Sequence, residues 1–175
     1  KFAHRKCRLR TYVSKTAAIY IPPDVLAKVV EGLVRNAVEN TPDGGNISVK
    51  VRKGEIGPEL EVKDSGIGIS EENLRLIFEN YFTSYDTMQY STRQPYDFKA
   101  GGKGFDLLRM KIFSERYNFR IKMTSQPCHL VDTEGLECPG NIADCAPDAA
   151  AKDCRNAGGT TVTVQFYPAA RFTGR

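Results

Sequence analysis

The chain has 175 residues, of which 41% are hydrophobic and 26% charged, enough for one domain around one core. No apolar run approaches the roughly 18 residues that cross a bilayer, and Lys1-Phe2-Ala3-His4-Arg5-Lys6 does not read as a signal peptide. The net charge of +4 is uneven: Gln126 to Ala157 carries six acids against Lys152 and Arg155, leaving a basic body suited to a polyphosphate ligand, but no dense basic stripe with interleaved aromatics for nucleic acid.

Alternation of apolar and polar residues from Arg8 to Val13 predicts an edge or half-buried strand, and Ala18 to Ile21 a short second one. Pro22-Pro23-Asp24 opens a helix, with an acid near its positive end. Val25, Leu26, Val29, Val30, Leu33, Val34 and Ala37 form its apolar stripe. Asn36 and Asn40, four apart, share a face beside the stripe, and Thr41-Pro42-Asp43-Gly44-Gly45 ends the helix. Ile47, Val49, Val51 and then Leu60, Val62 alternate with polar residues around a short loop, predicting two antiparallel strands. Ser70-Glu71-Glu72 reads as an N-cap and acidic first turn of a short helix through Leu74, Ile77 and Phe78. Residues 81–100 lack a period, and a stretch of that length in a compact domain is functional or mobile. A helix through Phe105, Leu108, Ile112 and Phe113 follows, then strands at Phe119-Ile121-Met123 and Val162-Val164-Phe166. The order predicts a single α+β domain over 1–175: a two-layer sandwich with a mixed, mostly antiparallel sheet and helices on one face.

Lys63-Asp64-Ser65-Gly66-Ile67-Gly68-Ile69-Ser70 carries the most information. An acid ends a strand, and glycines at alternate positions suit a backbone that bends tightly against a ligand. Asp-Ser-Gly is also an ordinary turn, so the stretch gains meaning from its companions. In chain order these are Glu31 to Pro42, Asp64 to Ile69, Ile77 to Phe82, Gly102-Lys103-Gly104-Phe105-Asp106-Leu107 and Gly159 to Val164. Together they resemble the N, first glycine, phenylalanine, second glycine and closing boxes of the ATP-binding catalytic domain of sensor histidine kinases. That domain belongs to the gyrase, chaperone and histidine-kinase ATPase superfamily, which has the Bergerat-type fold. The resemblance covers about residues 20–125 and 158–168.

The resemblance implies ATP and Mg2+ as cofactors. Asp64 would accept a hydrogen bond from the adenine amine, Gly66 and Gly68 would let the backbone approach the base, and Thr160 would help hold adenine, often through water. Asn36 would bind Mg2+, whose hard character suits an amide oxygen, and Asn40 would line the pocket. Ile69 and Phe105 would sandwich the base; Gly102 and Gly104 would offer backbone N–H groups to the phosphates, with Lys103 adding charge. Residues 81–104 would form the ATP lid. Ile69, Phe105 and Thr160 also suit plain core or strand positions, and the glycine-rich turn also suits a hinge.

Water-hydrolysing members of the superfamily place a glutamate four residues before the N-box asparagine as general base; this chain has Gly32 there, and Glu31 lies about 100° away around the helix. Asp106 stands where a glycine is frequent. A further departure is an insert, 126–157, holding Cys128, Cys138, Cys145 and Cys154 at spacings C-x9-C, C-x6-C and C-x8-C. Without a C-x2-C pair the spacing gives little support to zinc; a redox- or metal-responsive element and a simple stapled surface excursion both remain open. The implied function is transfer of the ATP γ-phosphoryl group to a histidine on the protein's own dimerisation domain, with a response regulator downstream. The setting would be cytoplasmic, with membrane attachment only through other parts of a longer protein. Neither His4 nor His129 has the sequence setting of an acceptor. The alternatives are a protein-serine kinase and a catalytically silent sensory or interaction module.

Overall fold

The computed structural model describes residues 2–79, 94–100, 105–131, 137–145 and 151–169. Strand β1 (Arg8–Val13) precedes helix α1 (Pro23–Asn40), which starts at the expected proline and carries Asp24 in its first turn. Strands β2 (Asn46–Lys53) and β3 (Pro58–Asp64) follow as a hairpin. Helix α2 (Glu71–Glu79) is capped as its sequence requires, with the Asn73 N–H donating to Ser70 Oγ at 3.2 Å. Helix α3 (Phe105–Tyr117), strand β4 (Phe119–Gln126), a 3-10 turn (Ile142–Asp144), helix α4 (Ala151–Asn156) and strand β5 (Gly159–Phe166) complete the order.

The sheet runs β1-β2-β3-β5-β4, with β1 parallel to β2 and the other pairs antiparallel. Its register builds apolar rows across the strands, Val49–Val62–Val162–Met123 and Val51–Leu60–Val164–Ile121. Those rows meet Val29, Leu33, Ala37 and Val38 of α1 and Met110 of α3 in one core. Each fully buried aliphatic side chain there contributes about 1.5–3 kcal/mol. The opposite face is polar, with Lys50 and Arg52 paired to Glu61 at 3.2 Å.

The short strand expected at Ala18–Ile21 is a single bridge from Ile19 to Pro168. Pro168 has no N–H to extend a ladder, and Pro22-Pro23 closes the segment. The 3-10 turn and α4 inside the insert had no periodic signal.

Arg5 has a role its sequence setting does not suggest. Its side chain is only 5% exposed and donates to Asp43 Oδ1 (2.8 Å), Val38 O (3.1 Å), Thr41 O (2.7 Å) and Tyr96 O (2.7 Å). Val38 and Thr41 are carbonyls at the negative end of α1, where a cation is favoured. Arg5→Ala removes all four of these hydrogen bonds, leaving Asp43 Oδ1 only the Lys6 N–H and Val38 O only the Thr41 N–H, and is expected to lower stability by about 2–3 kcal/mol. A urea midpoint unchanged from wild type would refute that role.

Candidate functional site

Alternation along the strands puts the polar ends of three core-facing rows side by side. Leu60 and Val62 face the helices, so Asp64 does too; Val164 and Val162 lead in the same way to Thr160, and Ile121 and Met123 to Ser125. Ser125 pairs with Thr160 across β4 and β5. The three residues meet at the end of the sheet where β3 turns toward α2.

Asp64 is 7% exposed, and its Oδ1 accepts from the Gly66 N–H (2.9 Å) and the Thr160 N–H (3.1 Å). Among the described residues both hydrogen bonds to this carboxylate fall on Oδ1, so Oδ2 is the atom available to a ligand. Burial pushes its pKa up to about 6; the Gly66 and Thr160 N–H groups and Lys63 oppose the rise. The carboxylate is thus an oriented acceptor, ionised at neutral pH.

The glycine turn closes against two other elements. Ile67 N–H donates to Asn40 O at the end of α1 (3.1 Å), and a Cβ on Gly66 would lie 2.3 Å from that same oxygen. Ile69 N–H donates to Ser125 Oγ (2.8 Å), which also lies 2.9 Å from Thr160 Oγ1 and 3.1 Å from Gly159 O. Ser125 therefore links the turn, β4 and β5. Its signal in the sequence was a lone core-facing polar residue at the end of an alternating strand.

Asn36 and Asn40 share a face of α1 as expected, and both are half-buried. The Asn40 amide Nδ2 donates to the Asn36 carbonyl at 2.8 Å, so this side chain is engaged within its own helix, and the backbone of Asn40 meets the glycine turn. Gly102, Lys103 and Gly104 lie outside the described residues, as does the side chain of Phe105, the first residue of α3. Residues 81–93 and 101–104 of the expected lid also lie outside them.

The described part of that segment, 94–100, is rooted on α1. Lys99 N–H donates to Glu39 O (2.7 Å) and Tyr96 N–H to Glu39 Oε1 (3.1 Å). Tyr96 and Lys99 both have positive φ, 73° and 56°, so the segment turns sharply there. Glu39 is 3% exposed and burial raises its pKa. Its role was not visible beside the asparagines, because an acid on a helix reads by default as solvated surface.

A family model described as "Histidine kinase-, DNA gyrase B-, and HSP90-like ATPase" matches residues 22–170. The sensor-like histidine kinase SenX3 of Mycolicibacterium smegmatis is 30% identical over 103 residues, covering 59% of this chain and 25% of that protein. The phosphate regulon sensor protein PhoR of Pseudomonas aeruginosa is 29% identical over 119 residues, covering 64% and 25%. This chain therefore spans about a quarter of the length of these relatives. Among solved structures, the mycobacterial sensor histidine kinase MprB superposes with a TM-score of 0.59 at 19% identity, over 93% of this chain and 84% of that one. A nucleotide-free form of the catalytic domain of histidine kinase ThkA gives 0.57 at 16% identity, over 93% and 80%. With its mixed five-stranded sheet and the buried Asp64 at the glycine turn, the chain belongs to the histidine kinase-, DNA gyrase B- and HSP90-like ATPase family.

Proposed function

We propose that this chain binds ATP with Mg2+ and presents the γ-phosphoryl group to a histidine on its protein's own dimerisation domain, from which a response regulator takes it. The observation that carries the reading is the Asp64 carboxylate, held through Oδ1 by two backbone N–H groups with Oδ2 left for an amine donor. A buried, oriented acceptor selects a base that carries an exocyclic amine and rejects one that lacks it. Asn36, half-buried on α1, supplies an amide oxygen of the kind that holds Mg2+ alongside phosphates and water. ATP supplies the transferable phosphoryl group; the chain binds and orients it.

One observation favours transfer over hydrolysis, and a second bears on where the acceptor lies. The position of the hydrolytic glutamate is Gly32, buried in α1, and Glu31 is exposed, so neither offers a base to a water in the site. Both histidines of the chain are engaged inside the domain, His4 Nε2 with Asp97 Oδ1 (3.1 Å) and His129 Nδ1 with Ala157 O (3.0 Å). An acceptor histidine therefore belongs on another segment. No helix among the described residues is long and apolar enough to cross a membrane.

Calorimetry with ATP, with and without Mg2+, tests the binding half, and Asn36→Ala is expected to reduce binding to the level seen with a chelator. Transfer is tested with γ-labelled ATP and the full-length protein. Label recovered as acid-labile phosphohistidine on the dimerisation domain is the expected result. Acid-stable phosphoserine would move the assignment to a serine kinase, and absence of ATP binding would overturn the nucleotide reading altogether.

A further inference from the structure

The cysteine-bearing insert lies beside the glycine turn rather than away from it. Cys128 N–H donates to Ile67 O (2.8 Å), and a Cβ on Gly158 would lie 2.7 Å from the Cys128 Cα. On its other side the insert joins the end of α1: Asp43 N–H donates to Gly140 O (2.8 Å), Ile142 N–H to Asp43 O (2.9 Å), and Arg155 Nε to Gly44 O (3.0 Å).

This path places the four cysteines of the insert in one neighbourhood. Cys128 and Cys138 border one cavity of about 180 Å³ with Ile67, Lys99, Pro127 and Val131. Cys145, which ends the 3-10 turn, and Cys154 of α4 share a side-chain hydrogen bond. The two pairs adjoin, since Cys154 lies within electrostatic range of the other three thiols, and Cys138 within range of Cys128 and Cys145. All four are free thiols; Cys128 and Cys154 are buried, Cys138 and Cys145 half-buried.

We propose that Cys128, Cys138, Cys145 and Cys154 form a four-thiolate site for a soft metal centre, a Zn2+-class ion or an iron–sulfur cluster. Sulfur donors select these centres over hard cations such as Mg2+. The stretch has few large apolar residues to hold it together, and a metal at its centre supplies the missing cross-link. Among the described residues no three ligand side chains converge closely enough to hold an ion as they stand. Closure therefore requires rotation of side chains, and Cys138 and Cys145 are the two of the four that are only half-buried. Each thiol gives its proton to solvent as its sulfur binds, so a Zn2+ ion and four thiols yield a centre of charge −2 and four protons. Assembly of a cluster consumes inorganic sulfide as well as iron. Lys99, on the wall of the same cavity, offsets the resulting negative charge.

The test is elemental analysis, visible absorption and thiol counting on the chain purified anaerobically, and again after reconstitution under reducing conditions. The expected result is one zinc per chain without visible colour, or iron and sulfide with visible absorption. In either case only Cys7 should react with a thiol reagent until the protein is denatured with a chelator, when all five cysteines react. The double variant C145S/C154S should lose the metal and keep its far-ultraviolet circular dichroism. Should that variant fail to fold, C138S is expected to bind the metal at least tenfold more weakly, while C7S binds it like wild type. A reconstituted chain with no bound metal and five reactive thiols overturns the proposal, and so does a chain whose four insert cysteines are found as disulfides.

Discussion

Asp64→Asn is expected to weaken adenine-nucleotide binding roughly 10–100-fold and, at the same time, to stabilise the ligand-free domain. A hydrogen bond to a charged acceptor is worth about 1.5–3 kcal/mol, which sets the loss of affinity. Asparagine keeps an Oδ1 for the Gly66 and Thr160 N–H groups but turns an amide N–H2 toward the ligand's own amine, donor against donor. The stability change has the opposite sign because of burial. The folded carboxyl titrates at about 6, against 3.8 for the ordinary group, so between those values the native state binds the proton more tightly than the unfolded chain does. The contribution of this one group to stability is then greatest below pH 4, falls as pH rises through 6, and stays reduced at neutral pH. Asparagine has no charge to bury and escapes this loss, a gain on the order of 1–3 kcal/mol at pH 7.5 that vanishes near pH 4. Urea midpoints of both proteins at the two pH values measure it; a less stable variant at pH 7.5, or an equal difference at both, would contradict the account. In the wild type, nucleotide affinity should also decline as pH falls below 6.

The candidate site was legible in the sequence at Asp64 and not at its supports. An acid that closes an apolar alternation and precedes glycines is a local anomaly, and the helix through Val25 to Ala37 and the strands through Val49, Val62 and Val164 have periods that announce themselves. Ser125, Glu39 and Arg5 carry no such local sign. Ser125 matters through its register with Thr160, Glu39 because residues 94–100 fold back onto it, and Arg5 because the chain before β1 returns to the end of α1. Each is a partnership between positions far apart in sequence, which periodicity cannot report. The same limit applies to residues 126–157: the cysteine spacings gave zinc little support, whereas the fold places the four thiols near one another from separate short elements. Asn40 shows the converse. Its helical spacing from Asn36 was correct, but that spacing also lets its amide bond the Asn36 carbonyl, an option the pattern alone does not weigh against a ligand.

The glycine turn also yields the largest expected stability effect. Gly68 has φ +68°, a conformation that costs an L-residue about 1–2 kcal/mol. A Cβ there would sit 1.9 Å from Gln126 O and 3.0 Å from the Pro127 Cα, so the obstacle is backbone and no rotamer change can clear it. Either the turn or the end of β4 must move. Movement strains the two hydrogen bonds that flank Gly68, Ile69 N–H to Ser125 Oγ and Cys128 N–H to Ile67 O, both 2.8 Å. Each contributes about 0.5–1.5 kcal/mol, so Gly68→Ala is expected to cost about 2–5 kcal/mol in total. Gly44 provides the control. It has φ +86°, but its Cβ would meet only Ile142 at 3.5 Å, an ordinary contact, so Gly44→Ala should cost the conformational part alone, about 1–2 kcal/mol. Denaturant midpoints of the two variants separate backbone conformation from backbone collision, and equal losses would show that the approach of Gln126 to Gly68 is not tight. Because that approach also sets the distance between the turn and the Ser125–Thr160 pair, Gly68→Ala should remove nucleotide binding even in the fraction that stays folded.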